Sequence, residues 1–447
     1  MKSGKRRLFL GIVLVLLLGA AVILSNFLET SPPQIIFSPK PDGYLPASKK
    51  FTLTFQEKGR GLKEVEVFIE QDNLKHTIFK KVFPRTKDQE PLHFQTINIT
   101  VTPKKLGVHD GPAVLVVYAR DYSFWHWGKG NTAEVRYNVV VDCTPPTIEV
   151  LTRSHNISRG GSVLVIYRSP EMLLKHGVKA GDYFFHGYNW KGVYLCLFAY
   201  PYEISSEILY RIVCLDKAGN KGEGGFYYHI IPRKFKYDKL IISDNFLRAK
   251  MPEFWNIYPE LQGKYLETFI KVNTELRAKS NKEIQKICQV SNPTPLWEGS
   301  FIRMKGVTRA TFGDRRSYYY HGRKISKSIH AGVDIASIAH APIPAANNGI
   351  VVYRGYLGIY GNAVIIDHGL GLFSLYGHLS SFQVKEGQQV KKGDIIGYTG
   401  ATGLAGGDHL HFSMLVQGVF VNPVEWWDPH WLKNNITAKL RQVGLIK

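Results

Sequence analysis

Three histidine-bearing segments between His330 and His411 constrain this chain more than any other feature. They read His330-Ala-Gly-Val-Asp334, Tyr376-Gly-His378-Leu-Ser380 and Gly407-Asp408-His409-Leu410-His411-Phe412. Side chains alternate faces along a strand, so the last segment, if extended, points His409 and His411 one way and turns Leu410 and Phe412 to the core. His330 and Asp334, four apart, likewise share a side of an extended chain. A histidine, a carboxylate and a second histidine make a donor set suited to zinc. Three protein ligands leave a fourth position for water, the arrangement of a catalytic site rather than a structural one. An isolated histidine is ordinarily a hydrogen-bonded surface or core residue, and that reading applies to His321, His340, His368 and His430.

Further pieces surround the histidines in a fixed order. They are Phe312-Gly-Asp-Arg315, Pro342-Ile-Pro344-Ala345, Gly361-Asn362 leading to Asp367-His368-Gly369, Gly387 through Val390 to Gly393-Asp394 and Gly397, and Gly400-x-Thr-Gly403. With the histidine segments, and over roughly 301–427, they resemble the lysostaphin/LytM-type zinc endopeptidases, which cut peptide bonds in peptidoglycan. The resemblance implies a C-terminal antiparallel β peptidase domain, Zn2+ as cofactor, His330, Asp334 and His411 as its ligands, and His378 and His409 as uncoordinated catalytic histidines. Asp408 stands where the family usually has proline, and Ser413 where an acidic residue is frequent. Neither is expected to touch a ligand, so both bear on substrate contacts. Asp367 and Asn362 are candidates for contacts around the site or for turn roles, and Tyr353 to Tyr360 is a candidate groove loop. No His-Glu-x-x-His helix occurs, so the glutamate base of that motif is excluded. Two alternatives from other classes are a catalytically silent relative that activates another wall hydrolase, and a wall-binding protein.

The chain of 447 residues is too long for one ordinary domain. Its 57 Lys and Arg against 36 Asp and Glu give a net charge of +21. No nucleic-acid motif accompanies that excess, and an anionic envelope polymer or membrane surface is an equally good partner. Lys2, Lys5, Arg6 and Arg7 precede an uninterrupted apolar run from Leu8 to Leu24. That run is long for a cleavable signal and points to an uncleaved inner-membrane anchor, with secretion to the periplasm after cleavage as the alternative. The basic end then stays in the cytoplasm and the bulk is periplasmic, where peptidoglycan and other envelope proteins are the available partners.

Alternating runs such as Phe51-Thr-Leu-Thr-Phe55 and Ile97-Asn-Ile-Thr-Val101 predict a β-sandwich over 31–142, and Ser162-Val-Leu-Val-Ile-Tyr167 belongs to a second over 143–240. Tyr118-Ala-Arg-Asp121 before Gly130-Asn131, and Val213-Cys-Leu-Asp216 before Gly219-Asn220, resemble the closing hairpin of bacterial immunoglobulin-like domains. Tyr122, Phe124, Trp125 and Trp127 fit a buried aromatic corner, or a sugar-stacking platform. Helical spacing of Tyr265, Leu266, Phe269, Ile270 and Leu276 marks a helical insert over 241–298, which packs against its neighbours or covers a groove. The expected fold is therefore multidomain and mainly β: a segment 1–30, two tandem sandwiches, the insert, and a peptidase domain over 299–447. Cys143, Cys196, Cys214 and Cys288 contain no Cys-x-x-Cys pair, so a cysteine zinc site is not expected. Cys196 and Cys214 face each other if 200–209 is a hairpin loop, as a disulfide or as two buried thiols.

Overall fold

The computed structural model describes residues 11–21, 29–41, 43–85, 90–124, 128–204 and 208–446. Residues 11–21 are helical, and the rest of the Leu8–Leu24 run lies outside the described residues, as do Trp125 and Trp127. Among the described residues no helix is long and apolar enough to cross a membrane.

The chain is mainly β and forms two compact units, one reaching to Pro146 and including Leu215–Lys221, the other made of Thr147–Cys214 and Gly222–Lys447. In the first unit the predicted alternation is visible residue by residue. Phe51, Leu53 and Phe55 of the strand Lys49–Gln56 are buried, whereas Thr52 and Thr54 between them face outward. Thr52 donates across the ladder to Asn98 Oδ1 at 2.7 Å. The three-stranded sheet that holds them and a five-stranded sheet carrying Val65, Val67, Leu115 and Val117 enclose one core. In both closing hairpins an aspartate carboxylate accepts two backbone amides. Asp121 Oδ1 accepts from the Ser123 and Asn131 amides, and Asp216 Oδ1 from the Gly219 and Asn220 amides.

In the second unit Cys196 lies on Val193–Ala199, which pairs with Ser162–Arg168, and Cys214 lies on Tyr210–Asp216 in a different sheet. The hairpin expected between them is therefore absent. Val193–Ala199 is buried on both faces, so its sequence carries no alternation that would have marked its sheet. Both cysteines remain buried thiols, and burial pushes Cys196 up to about 12.

Helices Asp244–Ile257, Tyr265–Lys271 and Arg277–Ile287 occupy the insert, the last two joined through a π-turn at Val272–Leu276. One apolar cluster runs from Val165 and Phe198 through Phe254, Phe269 and Ile284 to Ile366, Leu375 and Met414. The insert thus packs into a core shared by the strands on either side of it in sequence. Its leading strand, Tyr237–Ile241, pairs in parallel with Arg315–Tyr320. The largest sheet has eight strands, with Leu410–Val416 flanked by Val333–Ala336 and Leu372–Gly377.

Candidate metal centre

Register sets the first two side chains. Asp334 and His411 are direct cross-strand partners, and Gly377 pairs with His411 from the opposite side. Directly opposed residues present their side chains on one face. His330 follows the strand Arg323–Ile329, and its amide donates to Asp314 O at 2.9 Å. Asp314 is fully buried and accepts from the Thr311 amide at 2.7 Å and hydroxyl at 2.6 Å, which aims the Thr311 carbonyl at His330. The Phe312-Gly-Asp-Arg315 piece is thus the brace of His330. His378 sits just beyond Leu372–Gly377 at φ +66°, with its amide bonded to Tyr360 O at 2.8 Å. Its ring is oriented by Thr402 O, which depends on a close backbone crossing. A Cβ on Gly361 (φ +63°) would lie 2.4 Å from the Thr402 carbonyl carbon, and one on Gly403 (φ +69°) 2.3 Å from Gly361 N, so both positions demand glycine.

The hydrogen bonds fix the tautomers. His330 Nδ1 faces Thr311 O at 2.9 Å, His378 Nδ1 faces Thr402 O at 2.7 Å and His409 Nδ1 faces Gly407 O at 2.8 Å. A carbonyl only accepts, so in each neutral ring Nδ1 carries the proton and Nε2 presents a lone pair. The Nε2 atoms of His330 and His409, with Nδ1 of His411, face one acceptor. Asp334 Oδ1 lies 2.9 Å from His330 Nε2, 2.8 Å from His411 Nδ1 and 3.6 Å from His409 Nε2. His330 Nε2 and His411 Nδ1 are themselves 3.1 Å apart. Such a cluster of acceptors is satisfied by a cation seated among them, and the donor atoms of His330, Asp334 and His411 all lie within 4.8 Å of one another. The residues therefore fit zinc, whose usual ligands are imidazole and carboxylate.

Charge follows the same geometry. Burial alone would raise the Asp334 carboxyl, but the surrounding imidazoles, His330 foremost, hold it well below the usual range. Burial depresses His411 to about 4 despite Asp334, and depresses His378 well below the ordinary imidazole value. Burial also works against protonation of His409, yet its contact with Asp334 outweighs this and raises it.

A cavity of about 300 Å³ opens onto these residues, lined by His330, Asp334, His378, His409 and His411 and walled by the insert through Phe246, Phe269 and Arg277. Glu253 of the insert accepts from the Gly403 amide at 2.6 Å and from Tyr356 OH at 3.0 Å, so the helices also grip the loop that aims His378. Two residues of the site were not singled out from sequence as neighbours of a ligand. Arg316 donates to Asp334 Oδ2 at 3.2 Å. Ser413 Oγ lies 3.0 Å from His411 Nε2, contrary to the expectation that it touches no ligand; strand alternation, which puts residues 411 and 413 on one face, was the available signal. Asp367 is a turn residue, accepting from Ser291 Oγ and the Asn292 and Gly369 amides, and Asn362 donates to Leu379 O at 3.1 Å. His368 is a satisfied core histidine, bonded to Asn348 O and Ser374 Oγ, each at 2.7 Å.

Residues 328–423 match the model of Peptidase family M23. Over 96 residues, 22% of each chain, the sequence is 43% identical to the DD-carboxypeptidase/endopeptidase Mpg of Neisseria meningitidis. Over 166 residues it is 38% identical to the peptidoglycan DD-endopeptidase ShyA of Vibrio cholerae, covering 37% of this chain and 35% of that one. The match thus spans about a fifth to a third of the length of these curated relatives. A peptidase M23 structure from Pseudomonas aeruginosa is 19% identical, covering 60% of this chain and 94% of that one at a TM-score of 0.38.

Proposed function

We propose, from a chain whose C-terminal part carries a Peptidase family M23 domain, that this protein is a zinc-dependent endopeptidase hydrolysing the peptide cross-bridges of peptidoglycan. The observation that carries the reading is the convergence of His330, Asp334 and His411 at a cavity that also presents His378 and His409. When bound, zinc supplies Lewis-acid polarisation of a carbonyl and a water made acidic enough to act as a nucleophile near neutral pH. His330, Asp334 and His411 would hold it, with Thr311 O, Arg316 and Ser413 fixing how those three side chains point.

His378 and His409 do the proton work. Their ring centroids are 4.8 Å apart, and each has Nδ1 tied to a backbone carbonyl, which leaves Nε2 free to accept a proton. One imidazole takes a proton from the attacking water; the pair then steadies the developing oxyanion and returns a proton to the departing amine. Phe246, Phe269, Ile359 and Leu404 give the cavity apolar walls, beside which polar contacts are stronger than in open water. We assign the segments 31–142 and 143–240, read as immunoglobulin-like sandwiches, a spacer or docking role, and the Leu8–Leu24 run the role of an inner-membrane anchor that leaves the bulk in the periplasm.

Digestion of purified cross-linked muropeptides by the zinc-loaded chain, followed by mass spectrometry, tests the reaction. New amine and carboxyl ends with intact glycan are expected, and His378→Ala or His409→Ala should lower the rate by on the order of 10²-fold or more while zinc stays bound. Absence of peptide products from every cross-linked muropeptide would move the assignment to a silent scaffold.

A further inference from the structure

The cavity is unevenly charged. Two guanidinium groups line it, Arg277 from the insert and Arg316 from the strand Arg315–Tyr320, and both lie outside the part that matches the family. Among the lining residues the one carboxylate is Asp334, and it is already engaged: Oδ1 faces the imidazoles and Oδ2 accepts from Arg316. Arg277 has neutral acceptors, with Nε donating to Asn273 O at 3.2 Å and a terminal nitrogen to Asn273 Oδ1 at 2.7 Å. These bonds steady the guanidinium against its own helix; Glu203, whose charge reaches Tyr360 as that of Arg277 does, lies outside the cavity lining. Nearby walls are apolar, through Phe246, Phe269 and Ile359, so an anion there is drawn from water into a site where a charged hydrogen bond counts for more.

We propose, building on the hydrolase reading, that Arg277 seats a carboxylate of the substrate and selects amide bonds that have a free carboxylate beside them. Two kinds of peptide offer that chemistry: a chain end, where the residue released carries the terminal carboxylate, and a cross-link made through the side chain of a diamino acid that keeps its own carboxylate. Arg277 is on this reading a specificity residue, distinct from the proton-handling histidines.

The test compares paired substrates that differ by one charge, using the full zinc-loaded chain. One pair is an acyl-D-Ala-D-Ala peptide and its C-terminal amide; the other is a cross-linked dimer with the carboxylate beside the scissile amide free or amidated. For at least one pair the acid should be cleaved with a kcat/KM about 10-fold or more above the amide, and the pair showing it identifies the source. Arg277→Gln should abolish the preference mainly through KM, and Arg277→Lys should retain part of it. Equal rates for acid and amide in both pairs, or a preference surviving Arg277→Gln in a protein with unchanged melting, would overturn the assignment. Calorimetric titration of the same ligands into the His409→Ala chain separates this from the reaction itself. Tighter binding of the acid without turnover by the wild type would leave the carboxylate seat standing and sink the hydrolase reading, whereas binding blind to the charge would sink the seat.

Discussion

Replacing Gly332 by Ala should damage the metal centre more than the fold. Gly332 lies between His330 and Asp334 in sequence and against Leu410–Val416 in space. A Cβ there would stand 2.5 Å from Phe412 O, 2.6 Å from Ser413 Oγ and 2.7 Å from His411 Nε2. Ordinary carbon contacts need about 3.5 Å, so something must move by close to 1 Å. The Ser413 hydroxyl can rotate away, but the Phe412 carbonyl belongs to a central strand. The compliant neighbour is the His411 ring, whose Nε2 is held by Ser413 and whose Nδ1 faces Asp334. Overpacking of this kind costs about 1–3 kcal/mol, and disturbing the outer contact of a ligand costs about 10–100-fold in metal affinity. Zinc competition against a chromophoric chelator should reveal that loss, with Gly263→Ala as the control because its Cβ meets nothing within 4 Å. Wild-type zinc affinity together with an unchanged melting temperature in Gly332→Ala would refute the packing argument.

Glu425 offers a pH test of the fold. Burial pushes its carboxyl up to about 8, although the Ser162 amide and Arg233 oppose this. Between its unfolded value of 4.5 and about 8 the folded state keeps a proton that the unfolded state has lost, so stability falls as pH rises through that window. Glu425→Gln removes this slope: denaturation at pH 5 and at pH 8 should show the variant gaining on the wild type by on the order of a few kcal/mol, and a variant losing ground at pH 8 would mean an ionised Glu425 paired with Arg233. For the metal, His411→Ala should reduce bound zinc from about one per chain to a small fraction, read by metal analysis; full occupancy would remove His411 from the ligand set. For topology, protease added to spheroplasts should digest the chain beyond residue 30, and complete protection would reverse the orientation.

The site was legible where chemistry is local in sequence. The alternation at His409-Leu410-His411 placed two imidazoles on one surface with Leu410 in the core, and the chain does this because a strand has a period of two. His330 and Asp334 could be grouped for the same reason. What sequence did not disclose depends on distant partners. Nothing near Arg316 signals Asp334, and the ring orientation of His378 depends on a crossing of Gly361 and Gly403 far along the chain. Arg277 sits on a helix whose apolar spacing announced a packed face but not that its flank would wall the cavity. The pairing of the Cys196 strand was missed because a uniformly buried strand loses the alternation that reveals its sheet.

The parallel pairing of Tyr237–Ile241 with Arg315–Tyr320 has a practical consequence for anyone who cuts the gene. A fragment starting near residue 299 would carry the histidine motifs yet leave the Arg315–Tyr320 edge unpaired and strip the cover from Tyr318 and the Gly403 loop. A bare strand edge beside exposed aromatic surface recruits the same segment from another molecule, by aggregation or by exchange of the missing strand. The smallest piece of this chain that keeps that edge paired is therefore larger than the stretch its sequence signature covers.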